Sequence, residues 1–202
     1  MDDDDGALSD RILMRFAESQ FDKDKKEFLP EGCLKGMITK AAIAEELSEY
    51  GISDEEARLL TDLVDFVHDR AIKLFAIAVC ELFDEAALYK AMSLFRKYNF
   101  TDQDLPIAPW RDRERHKLAT FNKKFWGNTR ITKFYRGQWN FLAPVFVAAT
   151  ETRSNYDFER SHVLPFIEKH NEGFDRGSFG QVYMYTIHPN HLHDPEHPVR
   201  DS

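Results

Sequence analysis

The feature that most constrains this fold is a stripe of apolar residues at helical spacing in the first half of the chain. Between positions 57 and 82 an apolar side chain returns every three or four residues, as the buried face of an α-helix requires. The members of the stripe are Ala57, Leu60, Leu63, Val67, Ala71, Leu74, Ala78 and Leu82. We expect a long helix here with a break near Arg70, and further helices over 33–50 and 85–98. Such stripes are typical of a packed core.

Cap signals separate the first two of these helices. Gly51 fits the C-cap of the helix over 33–50. Ser53 and Glu56 form a capping-box pattern, in which the hydroxyl accepts from a free backbone amide and the carboxylate reaches back to the cap residue. The helix over 33–50 is predicted to turn five residues inward: Leu34, Met37, Ile38, Ala41 and Leu47.

The residue composition of the chain changes at Phe141, from helical patterns to strand-like ones. The stretch Phe141–Val147 is aromatic and β-branched, Leu164–Ile167 is similar, and Phe174–Ile187 is predicted to form two short strands around a glycine turn. We therefore expect an α+β fold, with an α-helical N-terminal domain followed by a small, incomplete β portion. The predicted divisions are a disordered acidic start (1–8), a helical leader domain (9–109), a charged linker or helix (110–140), the β portion (141–187) and an irregular His/Pro tail (188–202).

Charge, hydropathy and cysteine content limit the partners and the cellular location that we expect for this chain. The formal net charge of -8, part of it in Asp2–Asp5, argues against nucleic acid and anionic membranes as partners. The most apolar run, Ala71–Phe83, is too short to span a bilayer and carries two charges, so it predicts a buried helix. Cys33 and Cys80 lie in apolar, helical contexts, which predicts buried thiols and an intracellular location, cytoplasmic or nuclear.

A glycine turn near the C-terminal end carries the main candidate site. Asp175–Val182 follows the pattern G-x-G-x-x-G-x-V, except that Asp175 stands at the first glycine. Such a turn points backbone amides at phosphate oxygens, and a side chain at the glycine positions would hold the phosphates away. The candidate ATP contacts are Gly177, Ser178, Phe179, Gly180 and Val182. The same sequence also suits a plain β-hairpin, so both interpretations stay open.

Several short motifs in one order extend this signal. They are Phe28–Cys33, Lys73–Ile77, Phe100–Pro106, Gln138–Phe146, Val163–Ile167, Gly177–Tyr183 and Ile187–His191. Together they resemble the leader and glycine-rich loop at the start of the catalytic domain in a family of filamentous-fungal protein kinases, over residues 28–191. The resemblance implies a Ser/Thr kinase family, the first strands of a kinase N-lobe in the β portion, and ATP with Mg²⁺ as cofactor.

The residues that transfer phosphate in that family have no counterpart here. Kinases use a third-strand lysine, a catalytic-loop aspartate and a D-F-G aspartate. No lysine follows Lys169, no D-F-G or A-P-E occurs, and His68-Asp69-Arg70 only rearranges the catalytic-loop letters within a predicted helix. We expect no catalytic or metal-ligating residues, no independent phosphoryl transfer, and no ATP or Mg²⁺ bound by this chain.

Two other functions and one other site remain open at this stage. The helical part, Leu8–Tyr98, can serve as a stand-alone protein-interaction or regulatory module that binds a protein partner. A nucleotide-binding pseudokinase is the third hypothesis, and it needs a second lobe. Clustered imidazoles bind zinc or nickel, but the tail histidines are predicted to lie in an irregular loop without a metal: His188, His191, His193 and His197.

Overall fold

A computed structural model of the chain describes residues 6–21, 24–48, 54–82, 85–107, 117–148, 156–170 and 183–194. The chain divides into two compact units, each built from two segments. The helical unit combines Met1–Met14 with Cys33–Gln138, and the β unit combines Arg15–Gly32 with Trp139–Ser202. Helices together with small sheets confirm the α+β class.

The helical unit is organised around one largely buried helix. Its helices are α1 (Leu8–Leu13), α2 (Leu34–Met37), α3 (Lys40–Leu47), α4 (Asp54–Arg70), α5 (Ile72–Glu81), α6 (Glu85–Lys97), α7 (Lys117–Thr120) and α8 (Lys123–Gly137). Every residue of α5 from Leu74 to Cys80 is buried, which confirms the predicted buried helix. Within the described residues, no helix is both long and apolar enough to cross a membrane.

The predicted break in the long apolar stripe is confirmed at Ala71. This residue separates α4 from α5 and leaves helical geometry, with φ -142° and ψ 33°. The predicted helix over 85–98 is confirmed as α6. The predicted caps at Gly51 and Ser53 lie outside the described residues.

The single helix predicted over 33–50 is wrong, since the chain forms α2 and α3 instead. Ile38 leaves helical geometry (φ -95°, ψ 76°), and Thr39 starts a new helix by accepting a hydrogen bond from the Ala42 amide at 3.2 Å. Threonine is a strong N-cap, and here it outweighs the continuous apolar pattern. Because the new helix has a different phase, Ala41 is exposed and Ile43 is buried.

The described part of the stretch predicted as a charged linker or helix over 110–140 forms α7 and α8 of the helical unit, and its aromatic residues join the core of that unit. Phe121, Trp126 and Phe134 are almost fully buried and pack on Phe95, with ring centroids 5.6 to 5.9 Å from it. Asn122 caps α8 by accepting from the Phe125 amide at 3.0 Å. Of the two predicted alternatives the helix is therefore the one observed, and burial of the aromatic residues holds it in the core despite the many charges.

Three two-stranded sheets make up the described part of the β unit. The antiparallel pairs are β1 (Ala17–Glu18) with β2 (Glu27–Phe28) and β4 (Phe166–His170) with β5 (Met184–Ile187). The third pair is parallel and joins β3 (Phe146–Val147) to β6 (Leu192–His193).

Segment 15–32 belongs to this β unit and not to the helical leader domain in which we had placed it. Its backbone bonds explain why. The Gln20 amide donates to the Phe166 carbonyl at 2.6 Å, and the Leu29 amide donates to the Asn140 carbonyl at 2.7 Å.

Both predicted irregular ends and one predicted strand also differ from the structure. Leu8, placed in the disordered start, is buried as the first residue of α1. The strand over Phe141–Val147 is reduced to Phe146–Val147, because a 3-10 helix at Gln138–Phe141 takes up its beginning. In the tail, a 3-10 turn at Pro189–His191 leads directly into β6.

Candidate functional site

The predicted nucleotide loop is bracketed by two strands of the β unit. His170, the last residue of β4, pairs with Met184, the first residue of β5. Thirteen residues therefore connect the paired ends of this hairpin. Outside the described residues lie all five predicted contacts: Gly177, Ser178, Phe179, Gly180 and Val182. The structure thus describes the base of the loop.

The described first strand of this hairpin is β4, which overlaps the strand-like stretch predicted at Leu164–Ile167. Its pairing places Phe166 opposite Ile187 and Lys169 opposite Tyr185. The strand predicted from Phe174 lies outside the described residues. The register is irregular between Phe166 and Glu168.

Aromatic packing fixes the base of the hairpin. Phe166 stacks on Tyr185, with centroids 5.1 Å apart. Phe21 approaches both rings at 5.6 Å, edge-on to Phe166. Ser19 in the same segment donates its hydroxyl to the Leu164 carbonyl at 2.6 Å. The segment between α1 and α2 therefore holds the strand that leads toward the candidate loop.

Two polar contacts lie at the end of the hairpin nearest the candidate loop. The Lys169 ammonium is 3.7 Å from the centroid of the Tyr183 ring, a cation–π contact. The His170 Nε2 atom lies 2.7 Å from the Thr186 hydroxyl, a cross-strand hydrogen bond. Lys169 is the last lysine of the sequence, and it lies on the strand before the glycine turn, not on a later one.

The donor set does not fit a magnesium–nucleotide complex poised for transfer. Mg²⁺ is held by one or two carboxylates together with substrate phosphates. Among the residues that the structure describes, no group of three His, Cys, Asp or Glu side chains is placed to hold a metal ion. The sequence also lacks the D-F-G aspartate. We therefore derive no catalytic step through ATP or Mg²⁺.

The histidine tail contains a buried structural residue that sequence reasoning missed. His191 is 1% exposed. Its Nδ1 donates to the Pro144 carbonyl at 3.0 Å, and its Nε2 accepts from the Glu31 amide at 3.0 Å. The carbonyl requires a donor and the amide an acceptor, so the ring is neutral with its proton on Nδ1. Both ring nitrogens are therefore used in structural hydrogen bonds. The prediction of an irregular tail is wrong for residues 189–193, which form a 3-10 turn and β6.

The His68-Asp69-Arg70 sequence, which contains the residues of the kinase catalytic-loop motif in a different order, lies inside a helix, as predicted. His68, Asp69 and Arg70 form the last turn of α4, and the His68 Nδ1 lies 2.8 Å from an Asp69 carboxylate oxygen. With Asp102 they line a polar pocket of about 230 Å³. Asp102 accepts from the Lys73 and Leu74 amides at the start of α5, so it acts as a helix cap supplied by another segment. Burial raises the pKa of Asp102, against these hydrogen bonds.

Two titratable residues, Cys80 and Glu81, lie at the C-terminal end of α5. Cys80 is buried, and burial raises the pKa of its thiol to about 12, so it is an unreactive core residue. Cys33, which we also predicted to be buried, is half-buried. Burial raises the pKa of Glu81, and Lys133 opposes this shift. The Glu81 side chain occupies the space where a Cβ on Gly137 would lie.

A groove of about 420 Å³ lies between α4 and α6 and is called the α4–α6 groove below. Its apolar lining comprises Leu63, which is buried, Leu59, which is 47% exposed, and the half-buried Tyr89. The remaining lining residues are Ser93, Arg96 and Lys97. The apolar spacing correctly predicted which face of α4 is buried, at Leu63 and Val67. It did not predict that Leu59 would line an open groove.

Comparisons with known proteins give no family for this chain. No family model matches it, no curated protein matches it, and no solved structure matches it.

Proposed function

We propose that the β4–β5 hairpin is the base of a glycine-rich nucleotide loop of Ser/Thr protein-kinase ancestry, in a chain that does not transfer phosphate by itself. One observation carries this proposal. The two strands pair up to His170 and Met184, and the sequence between these two positions contains the glycine pattern Gly177–Val182. A strand–glycine turn–strand order is the context that the kinase loop requires.

The absence of transfer follows from what phosphoryl transfer needs. Catalysis of this reaction is mostly positioning together with neutralisation of charge by a metal ion and by cations. The sequence has no lysine after the glycine turn and no D-F-G motif. On this proposal the protein is intracellular, cytoplasmic or nuclear, and comes from a fungal kinase family.

The experiment is a titration of the full chain with Mg-ATP, followed by thermal shift and by transfer of labelled phosphate to the chain and to a generic Ser/Thr substrate. We expect no shift at millimolar ATP and no label above background. The control replaces Gly177 and Gly180 by aspartate, which would block phosphate approach. Label incorporation that disappears in this double variant would contradict the absence of phosphate transfer. A shift of several degrees that disappears there would contradict the expectation that this chain binds no ATP.

A second function is favoured by the α4–α6 groove: the helical unit binds a protein partner. An exposed leucine in a concave surface is typical of binding sites, and Leu59 is such a residue. The test is affinity capture with the wild-type chain in the presence and absence of ATP. A defined partner that binds equally in both conditions supports this module, and a partner retained only with ATP argues for the nucleotide-dependent alternative.

A further inference from the structure

The α4–α6 groove differs in charge from the chain that carries it. The formal net charge of the chain is -8, yet the groove lining contains two cations, Arg96, which is paired with Asp62 outside the lining, and Lys97. Both cations, Arg96 and Lys97, lie in the last turn of α6. An acidic chain with a basic groove favours an acidic ligand at that position.

The spacing of the lining residues matches a helical ligand. Leu59 and Leu63 are four positions apart on α4, and Tyr89 and Ser93 are four positions apart on α6. Residues three or four apart lie on one face of a helix, so each helix contributes one continuous edge. An amphipathic helix binds such a groove through apolar side chains at the same spacing.

The basic end of the groove retains donors for a ligand. Arg96 binds Asp62 through Nη2 at 2.7 Å, and its side chain is 37% exposed. A guanidinium has five N–H donors, so this ion pair leaves others to meet a second carboxylate. Lys97 is exposed beside it, with its ammonium 5.4 Å from the Tyr98 ring centroid.

We propose that the α4–α6 groove binds an acidic amphipathic helix of a protein partner. Aliphatic side chains of that helix lie against Leu59, Leu63 and Tyr89, and its Asp or Glu residues meet Arg96 and Lys97. The groove volume of about 420 Å³ is enough for one or two such side chains. This inference rests on the second proposed function, the binding module, and is independent of kinase ancestry.

The test uses the full chain and a labelled probe peptide of about 14 residues, roughly 21 Å long as a helix. The peptide carries leucines at helical spacing with glutamates beside them. A second peptide replaces each glutamate by lysine, and a third scrambles the sequence. Binding is measured by fluorescence anisotropy at low and physiological salt.

The variants are paired with matched controls. Leu59→Asp is compared with Leu13→Asp, because Leu13 on α1 has a similar exposure of 49%. Lys97→Glu is compared with Lys35→Glu, an exposed lysine on α2. We expect Leu59→Asp and Lys97→Glu each to weaken binding of the acidic peptide by about tenfold, and the controls to change it less than about twofold.

Four outcomes overturn the inference. They are no saturable binding of the acidic peptide, equal binding of the lysine peptide, equal loss in a variant and its control, and self-association of the chain that Leu59→Asp abolishes. A partner that binds wild type and Leu59→Asp equally would overturn the groove while leaving the binding module in place. Failure of the second proposed function, the protein-binding module, would be distinguishable, because the full chain would then capture no partner.

Discussion

The Asp102 carboxylate accepts a hydrogen bond from the Leu74 backbone amide at 2.9 Å, across 28 positions of sequence. It also accepts from Lys73 at 2.9 Å, so one side chain caps the buried core helix α5. We predict that Asp102→Ala lowers the free energy of unfolding by about 2 kcal/mol, because it leaves those amides without a partner. Urea unfolding followed by far-UV circular dichroism measures this.

The companion variant separates the cap from its charge. Because burial raises the pKa of Asp102, the ionised form is disfavoured there. Asp102→Asn keeps one oxygen acceptor and removes that charge, so it should cost less than the alanine variant. Gln103→Ala, at the exposed neighbouring position, is the control. Equal losses for Asn and Ala would show that the cap needs both carboxylate oxygens.

Gly137 and Glu81 should show strong coupling. A methyl group at Gly137 would overlap Cγ, Cδ and Oε1 of Glu81, so the whole side chain would have to move. We predict that Gly137→Ala destabilises the wild-type protein by about 1 kcal/mol. In a Glu81→Ala background the same change should stabilise by up to about 1 kcal/mol, because alanine favours helix over glycine. A double-mutant cycle by urea unfolding gives the coupling. The same sign in both backgrounds would contradict the overlap.

Glu81 should also make stability depend on pH in a defined direction. Burial raises its folded-state pKa above the ordinary value of 4.5, so the folded chain binds this proton more tightly than the unfolded chain. The stabilisation is complete below about pH 4.5 and is lost as pH rises through the folded pKa. We predict that Glu81→Gln gains stability relative to wild type as pH rises from about 4.5 to neutrality. Glu45→Gln, on the exposed side of α3, is the control for the substitution itself.

His191 should be essential to the β unit. Replacing it by alanine removes its hydrogen bonds to Glu31 and Pro144 and leaves a cavity beside Phe28. We predict a loss of about 3 kcal/mol, seen as faster amide exchange at 27–32 and 189–193 by mass spectrometry. His193→Ala is the matched control, because His193 is exposed. Equal exchange in the two variants would contradict a structural role for the buried ring.

The parts of the fold that the sequence predicted correctly are those that depend on neighbouring residues. The buried helix α5 follows from a continuous apolar run, and the break at Ala71 directly follows the charged pair Asp69 and Arg70. The division of 33–50 was missed because the Thr39 cap competes with an uninterrupted apolar pattern. One hydroxyl can decide that competition, and periodicity does not weigh it.

The rest could not be predicted because its partners are distant in sequence. Ser19 bonds Leu164 across 145 positions, and Glu31 bonds His191 across 160. Two-residue strands such as Ala17–Glu18 carry no recognisable alternation. For the candidate site, the sequence indicated the second strand, β5. It did not indicate the register of β4, which depends on Phe21 and Tyr185 packing around Phe166.

The central claim is that the β4–β5 hairpin is the start of a kinase-derived N-lobe. The most direct measurement is to sequence the source transcript beyond the codon for Ser202 and translate it in three frames. We predict a V-A-x-K lysine first, then H-R-D and D-F-G motifs, in that order. A transcript in which no frame encodes any of the three would contradict the claim.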